Sequence, residues 1–102
     1  LLFGRELVFW AALATLLEMQ DLLAQGATVV DVRSPAEFAT GHAKSAINIP
    51  LDELERRIGE LDREKPVVLC CASGGRSGRA CALLAAMGYN AHNAGPWANL
   101  PH

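Results

Sequence analysis

The sequence is poor in aromatic side chains, with three Phe, two Trp and one Tyr among 102 residues. Any core must therefore be built mainly from Ala, Leu, Val and Ile. It has no basic block beyond Arg56-Arg57, and 9 Lys and Arg against 11 Asp and Glu leave a formal charge of −2. That balance gives no reason to expect nucleic acid as a partner. The chain lacks an Asn-x-Ser/Thr acceptor, the Lys-Ser/Thr ending of a nucleotide P-loop, the Gly-x-Gly-x-x-Gly order and cysteines separated by two residues. Internal repeats and low-complexity linkers are also missing. Cysteines are few and odd in number (Cys70, Cys71 and Cys81), which argues against a disulfide scaffold and for a reducing compartment or a protected thiol.

What is present is enough for one compact domain. Hydrophobic residues make up 51% of the chain, so a sizeable core is available. The stretch Leu7 to Leu17 carries no charge, yet it is shorter than the roughly 20 residues that span a bilayer. An apolar N-terminal helix is expected over residues 1–25, closed by Gly26 as a C-cap. It reads as a buried first helix, with a remnant of a membrane anchor or an appended sequence as the alternatives. The main domain is then 26–102. A cytoplasmic location is expected, with a membrane-anchored or periplasmic parent as the other reading. A monomer or a weak homodimer paired through the apolar helix fits this layout.

Beyond Gly26, strands alternate with helices. Thr28 to Val32 reads as a short buried strand, and Pro35 starts a short helix that Gly41-His42 closes. Ala46 to Ile49 is a second strand, stopped by Pro50. Leu51 to Leu61 reads as a surface helix, with Asp52 as cap, Glu55 completing a capping box, and Leu51, Leu54, Ile58 and Leu61 facing a core. Val67 to Cys70 is a continuous apolar run, as in a central parallel strand covered on both faces. A buried helix from Ser77 to Met87 follows, then a weak strand at Asn90 to Asn93, with Gly95-Pro96 breaking the chain. The class is α/β: a small, mostly parallel sheet with helices on both faces.

The chemistry concentrates where the central strand ends. Cys70-Cys71-Ala72-Ser73-Gly74-Gly75-Arg76-Ser77 runs from a buried strand through a Gly-rich turn into a helix. Gly74 and Gly75 permit backbone conformations in which successive amides point inward and form an anion nest. The helix start adds unpaired amides and a positive dipole end, and Arg76 adds a fixed cation. A cysteine facing that nest has a depressed pKa and acts as a thiolate nucleophile on an anionic substrate. Adjacent residues of a strand point opposite ways, so one of the two cysteines faces the nest. Cys70, last in the apolar run, is the better core residue. Counted from Cys71 to Arg76, the turn has six residues and suits a small atom such as sulfur. Counted from Cys70 it is one longer and leaves room for a tetrahedral phosphate.

These motifs resemble the rhodanese-like domains over roughly Gly26 to Leu100. The first signature is Asp31-Val32-Arg33, then Glu37-Phe38, Gly41-His42 and Ala46-Ile47-Asn48-Ile49-Pro50. The second is Cys71-x-Ser73-Gly74-x-Arg76-Ser77, followed by an Ala/Leu-rich helix ending in Met87-Gly88-Tyr89. The resemblance implies a parallel α/β fold with Cys71 as the catalytic residue. It implies a sulfurtransferase that carries sulfane sulfur as a Cys71 persulfide. Ala72, Ser73, Gly74, Gly75, Arg76 and Ser77 would bind the substrate, and Asp31, Arg33 and His42 would support the site. The donor would be thiosulfate or a persulfide. The acceptor would be cyanide, a thiol or a protein sulfur carrier, and no metal or organic cofactor is required. Two other readings stand beside it. One is a non-catalytic binding or regulatory module of the same fold. The other is a Cys70-based phosphatase or arsenate reductase, although Leu69 precedes Cys70 where such phosphatases typically carry His. The sequence Gly95-Pro96-Trp97 departs from the family's usual Gly-Gly-Trp and leaves the geometry of the C-terminal end open.

Overall fold

The structure is a computed structural model that describes residues 16–102. The expected apolar helix over 1–25 therefore falls largely outside the described residues. Its final part is present as α1 (Leu16–Ala24). Gly26, at φ +83°, closes it, and the amides of Gly26 and Ala27 return to the carbonyls of Leu23 and Leu22. That pair of bonds is a Schellman cap, which favours glycine at the left-handed position. Among the described residues, no helix is long and apolar enough to cross a membrane.

Four strands form one parallel sheet in the order β2-β1-β3-β4. They are β1 (Thr28–Asp31), β2 (Ile47–Asn48), β3 (Val67–Cys71) and β4 (Ala91–Pro96). Two helices complete the frame, α2 (Pro35–Ala39) and α3 (Gly75–Ala86). The strand alternation divides the interior into two cores. Val30, Val67, Leu69 and Cys71 meet Leu54, Leu61, Ala80, Leu84 and Tyr89 on one face. Val29, Val68 and Cys70 meet Met19, Leu22, Ala43, Ala94 and Leu100 on the other. Leu84 is fully buried, so its truncation to Ala is expected to cost ~2–5 kcal/mol.

Two expectations are corrected. Leu51 to Leu61 is not one helix but two single 3-10 turns, Leu51–Glu53 and Ile58–Glu60. Pro50 stands at the cap of the first turn, and neither turn has a side-chain cap, so the Asp52 box does not form. The apolar spacing survives because Leu54 and Leu61 are still buried. Packing of those side chains, rather than a helical ladder, holds the segment. The second correction is that Gly95-Pro96 does not break the last strand. Proline lacks only the donor, which an edge strand can spare. β4 runs on through it, with Gly95 beside Cys70 and Pro96 beside Cys71. The register slips between Leu69 and Cys70, so Ala94 is passed over while Asn93 stays paired with Leu69. Asn93 consequently lies on the Cys71 face.

Candidate active site

β3 is buried at all five positions, and its last two residues are the adjacent cysteines. Cys70 enters the core that contains α1, whereas Cys71 enters the core that contains α3. Both are fully buried, but their surroundings differ. Burial first, and the Asp31 carboxylate second, push the Cys70 thiol up to about 12. That is the wrong direction for a nucleophile, and Cys70 faces the core away from α3, which speaks against the Cys70 phosphatase reading.

Cys71 ends β3 with its sulfur facing the turn. Its Sγ accepts the amide of Gly74 at 2.9 Å and that of Ser77 at 3.4 Å, and the Ser77 hydroxyl is 3.3 Å away. Burial alone would raise this thiol. The Ser77 hydroxyl and the amides of Ser77, Gly74 and Ser73 outweigh burial and lower it below its ordinary value. Gly74 makes this geometry possible. It sits at φ +104° as the residue before α3, and a Cβ there would meet the Gly95 backbone at 3.4 Å. The helix begins at Gly75, two residues before the expected Ser77, so its first amides lie within the turn.

The expected substrate-binding residues are contiguous but not equivalent. Ala72, Ser73 and Gly75 are exposed, Ser77 is buried, and Gly74 and Arg76 are intermediate. Arg76 does not point its charge at the sulfur. Its guanidinium pairs with both Glu37 oxygens, at 2.7 and 2.9 Å. Glu37 also accepts the Ser34 amide and hydroxyl in the capping box of α2. The Arg76 bridge and the Ser34 amide hold the Glu37 carboxyl down at about 2.

The three residues expected to support the site fall into a buried ion pair, Asp31 with Arg33, and a separate exposed histidine, His42. Arg33 pairs with Asp31, not with the Glu37 carboxylate, at 2.7 Å, and both are buried. Arg33 also donates to the carbonyls of Glu37 and Gly41 and lies 5.1 Å from the Trp97 ring centroid. His42 is exposed, stacked on Phe38 at 3.8 Å, with Nδ1 2.9 Å from the Phe38 carbonyl. Its contacts return to Phe38 of the preceding helix α2. A groove of about 630 Å³ opens beside the turn, lined among others by Val32, Pro50, Leu51, Arg76, Arg79 and Leu83.

Sequence reasoning missed two functional neighbours. The Ser34-x-x-Glu37 spacing is a visible capping box, yet nothing local ties Glu37 to Arg76. Asn93 had no local signal at all. It reaches the turn through the register of β4, where Oδ1 accepts the Ser77 hydroxyl at 2.7 Å and the Gly95 amide at 2.9 Å.

A parallel sheet whose central strand ends in a cysteine held by amides at a helix start defines a class: parallel α/β domains that seat a cysteine in a turn of backbone donors. Comparisons with known proteins narrow the class. The family model described as the rhodanese-like domain matches residues 15–94, and the chain belongs to that family. It is 48% identical over 58 residues to the uncharacterized protein YqhL of Bacillus subtilis, covering 57% of this chain and 46% of that one. It is 41% identical over 61 residues to a protein of Allochromatium vinosum named sulfurtransferase, covering 60% and 57%. The chain thus spans about half the length of these curated relatives. The human single-domain sulfurtransferase TSTD1 superposes with a TM-score of 0.68 at 33% identity, covering 82% of this chain and 88% of that one.

Proposed function

We propose that this chain transfers sulfane sulfur through a persulfide on Cys71. The observation that carries the proposal is the set of donors on one sulfur: the Gly74 and Ser77 amides and the Ser77 hydroxyl. The two amides, fixed by the turn, stabilise a thiolate without reorganising during the reaction. In the first half-reaction, the Cys71 thiolate attacks the outer sulfur of thiosulfate. The new S–S bond forms as the old one breaks, and sulfite leaves with the electron pair. In the second, an acceptor nucleophile attacks the terminal sulfur, and Cys71 departs as thiolate. Cyanide, a small thiol or a protein sulfur carrier serves equally as acceptor in this chemistry.

The turn from Ala72 to Ser77 receives the outer sulfur. Gly75 and Arg76 open α3, where helical amides have no partner within the helix, so they suit an anionic terminal sulfur. Arg76 stands at the rim, restrained by Glu37, where it meets the anionic donor. Asp31, Arg33 and His42 hold the neighbouring loop rigid and take no proton in the reaction. Three free thiols fit a reducing compartment, which makes a cytoplasmic location part of the same proposal.

Steady-state kinetics with thiosulfate and cyanide test this reading. Parallel double-reciprocal lines are expected, because donor and acceptor react in separate half-reactions. Intersecting lines would contradict a covalent intermediate, and absence of thiocyanate formation with either thiosulfate or a thiol persulfide as donor would contradict sulfur transfer.

A further inference from the structure

The Ser77 hydroxyl has one proton and three acceptors within reach. They are Asn93 Oδ1 at 2.7 Å, the Gly74 carbonyl at 3.2 Å and Cys71 Sγ at 3.3 Å. The shortest bond goes to Asn93. While the proton is there, the Ser77 oxygen can only accept from a neutral Cys71 thiol. It cannot also donate to a Cys71 thiolate. A thiolate, already held by the two amides, gains this third donor when that proton turns from Asn93 to sulfur. The surroundings permit the turn at small cost, because Asn93 Oδ1 keeps a second donor, the Gly95 amide at 2.9 Å. Its amide nitrogen also holds the Gly74 carbonyl at 3.3 Å, which keeps the side chain in place.

We infer that Asn93 is a positioning residue that competes with Cys71 for the Ser77 hydroxyl proton, holding it when the sulfur is neutral and yielding it when the sulfur is anionic. The inference rests on Cys71 being the nucleophile. It gives Ser77 and Asn93 a part in both half-reactions. Before attack, the proton faces the thiolate. Once the persulfide has formed, the inner sulfur is neutral and the proton returns to Asn93. When the acceptor attacks the terminal sulfur, the proton swings back and stabilises the departing thiolate. No proton enters or leaves the protein in this exchange.

The competition has a sign that a merely structural role does not share. Removing the Asn93 acceptor frees the hydroxyl for sulfur and favours the thiolate. Loosening the turn would do the opposite by withdrawing the Gly74 and Ser77 amides. The charged and titratable groups around Cys71 are Arg76 on α3, with Glu37 of α2 paired to it, Asp31 and Arg33 at the end of β1, and Cys70 next along β3. From β4, the neutral Asn93 is the group that reaches this network. Replacing Asn93 by Leu leaves that set of charges unchanged.

The test is the pH dependence of iodoacetamide alkylation of Cys71, read by peptide mass, in wild type, Asn93→Leu and Asn93→Asp. Each is repeated with Ser77→Ala. Alkylation needs no sulfur transfer, so it separates failure of this inference from failure of the sulfurtransferase reading. In Asn93→Leu the midpoint is expected to fall by about one pH unit, seen as an approximately tenfold faster alkylation below both midpoints. In Asn93→Asp, nearly the same size but a stronger acceptor, the midpoint is expected to rise. Both changes should shrink when Ser77 is Ala. A raised or unchanged midpoint in folded Asn93→Leu would overturn the inference. If that variant does not fold, a midpoint in Asn93→Asp that fails to rise, or a rise of equal size with and without Ser77, would overturn it.

Discussion

Cys70 and Cys71 are neighbours on one strand, and both are fully buried, yet the chemistry of the two thiols runs in opposite directions. Cys70 sits in the core containing α1, beside Asp31, and its thiol is pushed up to about 12. Cys71 sits on the other face, where amides and a hydroxyl aimed at sulfur more than offset burial. Burial raises both thiols and is the larger cause at Cys70; what separates the two is whether the buried sulfur meets donors that offset it. The strand supplies the division by alternating its side chains, and the turn supplies the donors on one face alone.

The comparison can be broken most completely at sulfur itself. Cys71→Ser is expected to reduce thiosulfate-to-cyanide turnover to background, whereas Cys70→Ser keeps turnover within roughly an order of magnitude of wild type, measured at matched folded fraction. Next comes the charge beneath Cys70. Asp31→Asn would leave the buried Arg33 guanidinium without its counter-charge, and a loss of about 3–5 kcal/mol in denaturant unfolding is expected. The same change removes a charge that raises Cys70, so the two thiols should become less unlike.

The donor side is sharpened by Gly74→Ala. A side chain at φ +104° is strained, so a stability loss of about 1–3 kcal/mol is expected. Displacing the Gly74 amide should also raise the pH midpoint for Cys71 alkylation. The smallest effect concerns the rim. The folded-state pKa of Glu37 is held at about 2, below the ordinary 4.5. Its contribution to stability is therefore present above 4.5 and lost as the pH falls from there toward 2. Glu37→Gln should flatten that part of an acid unfolding curve, and it should release Arg76 without changing the Cys71 nest.

Much of this was legible in the sequence. The apolar run Val67 to Cys70, followed at once by a Gly-rich turn, identified the central strand and the end of the sheet where the cysteine turn lies. Alternation along that strand sets the two cysteines on opposite faces. Leu51 to Leu61 was misread because the 3.6-residue spacing of leucines reports which residues are buried, not whether a hydrogen-bonded helix connects them. Gly95-Pro96 was misread because a proline's missing donor matters less at the edge of a sheet than within it. Arg76 was given its charge correctly but not its direction, since its partner Glu37 comes from a distant element. Asn93 was invisible for the same reason, since its place beside the turn depends on how β4 pairs with β3.

The most direct measurement is the intact mass of the reduced protein after incubation with thiosulfate. A gain of one sulfur atom is predicted, reversed by cyanide, absent in Cys71→Ser and retained in Cys70→Ser. An adduct that persists in Cys71→Ser, or that disappears in folded Cys70→Ser alone, would contradict the assignment of the nucleophile to the Cys71 face.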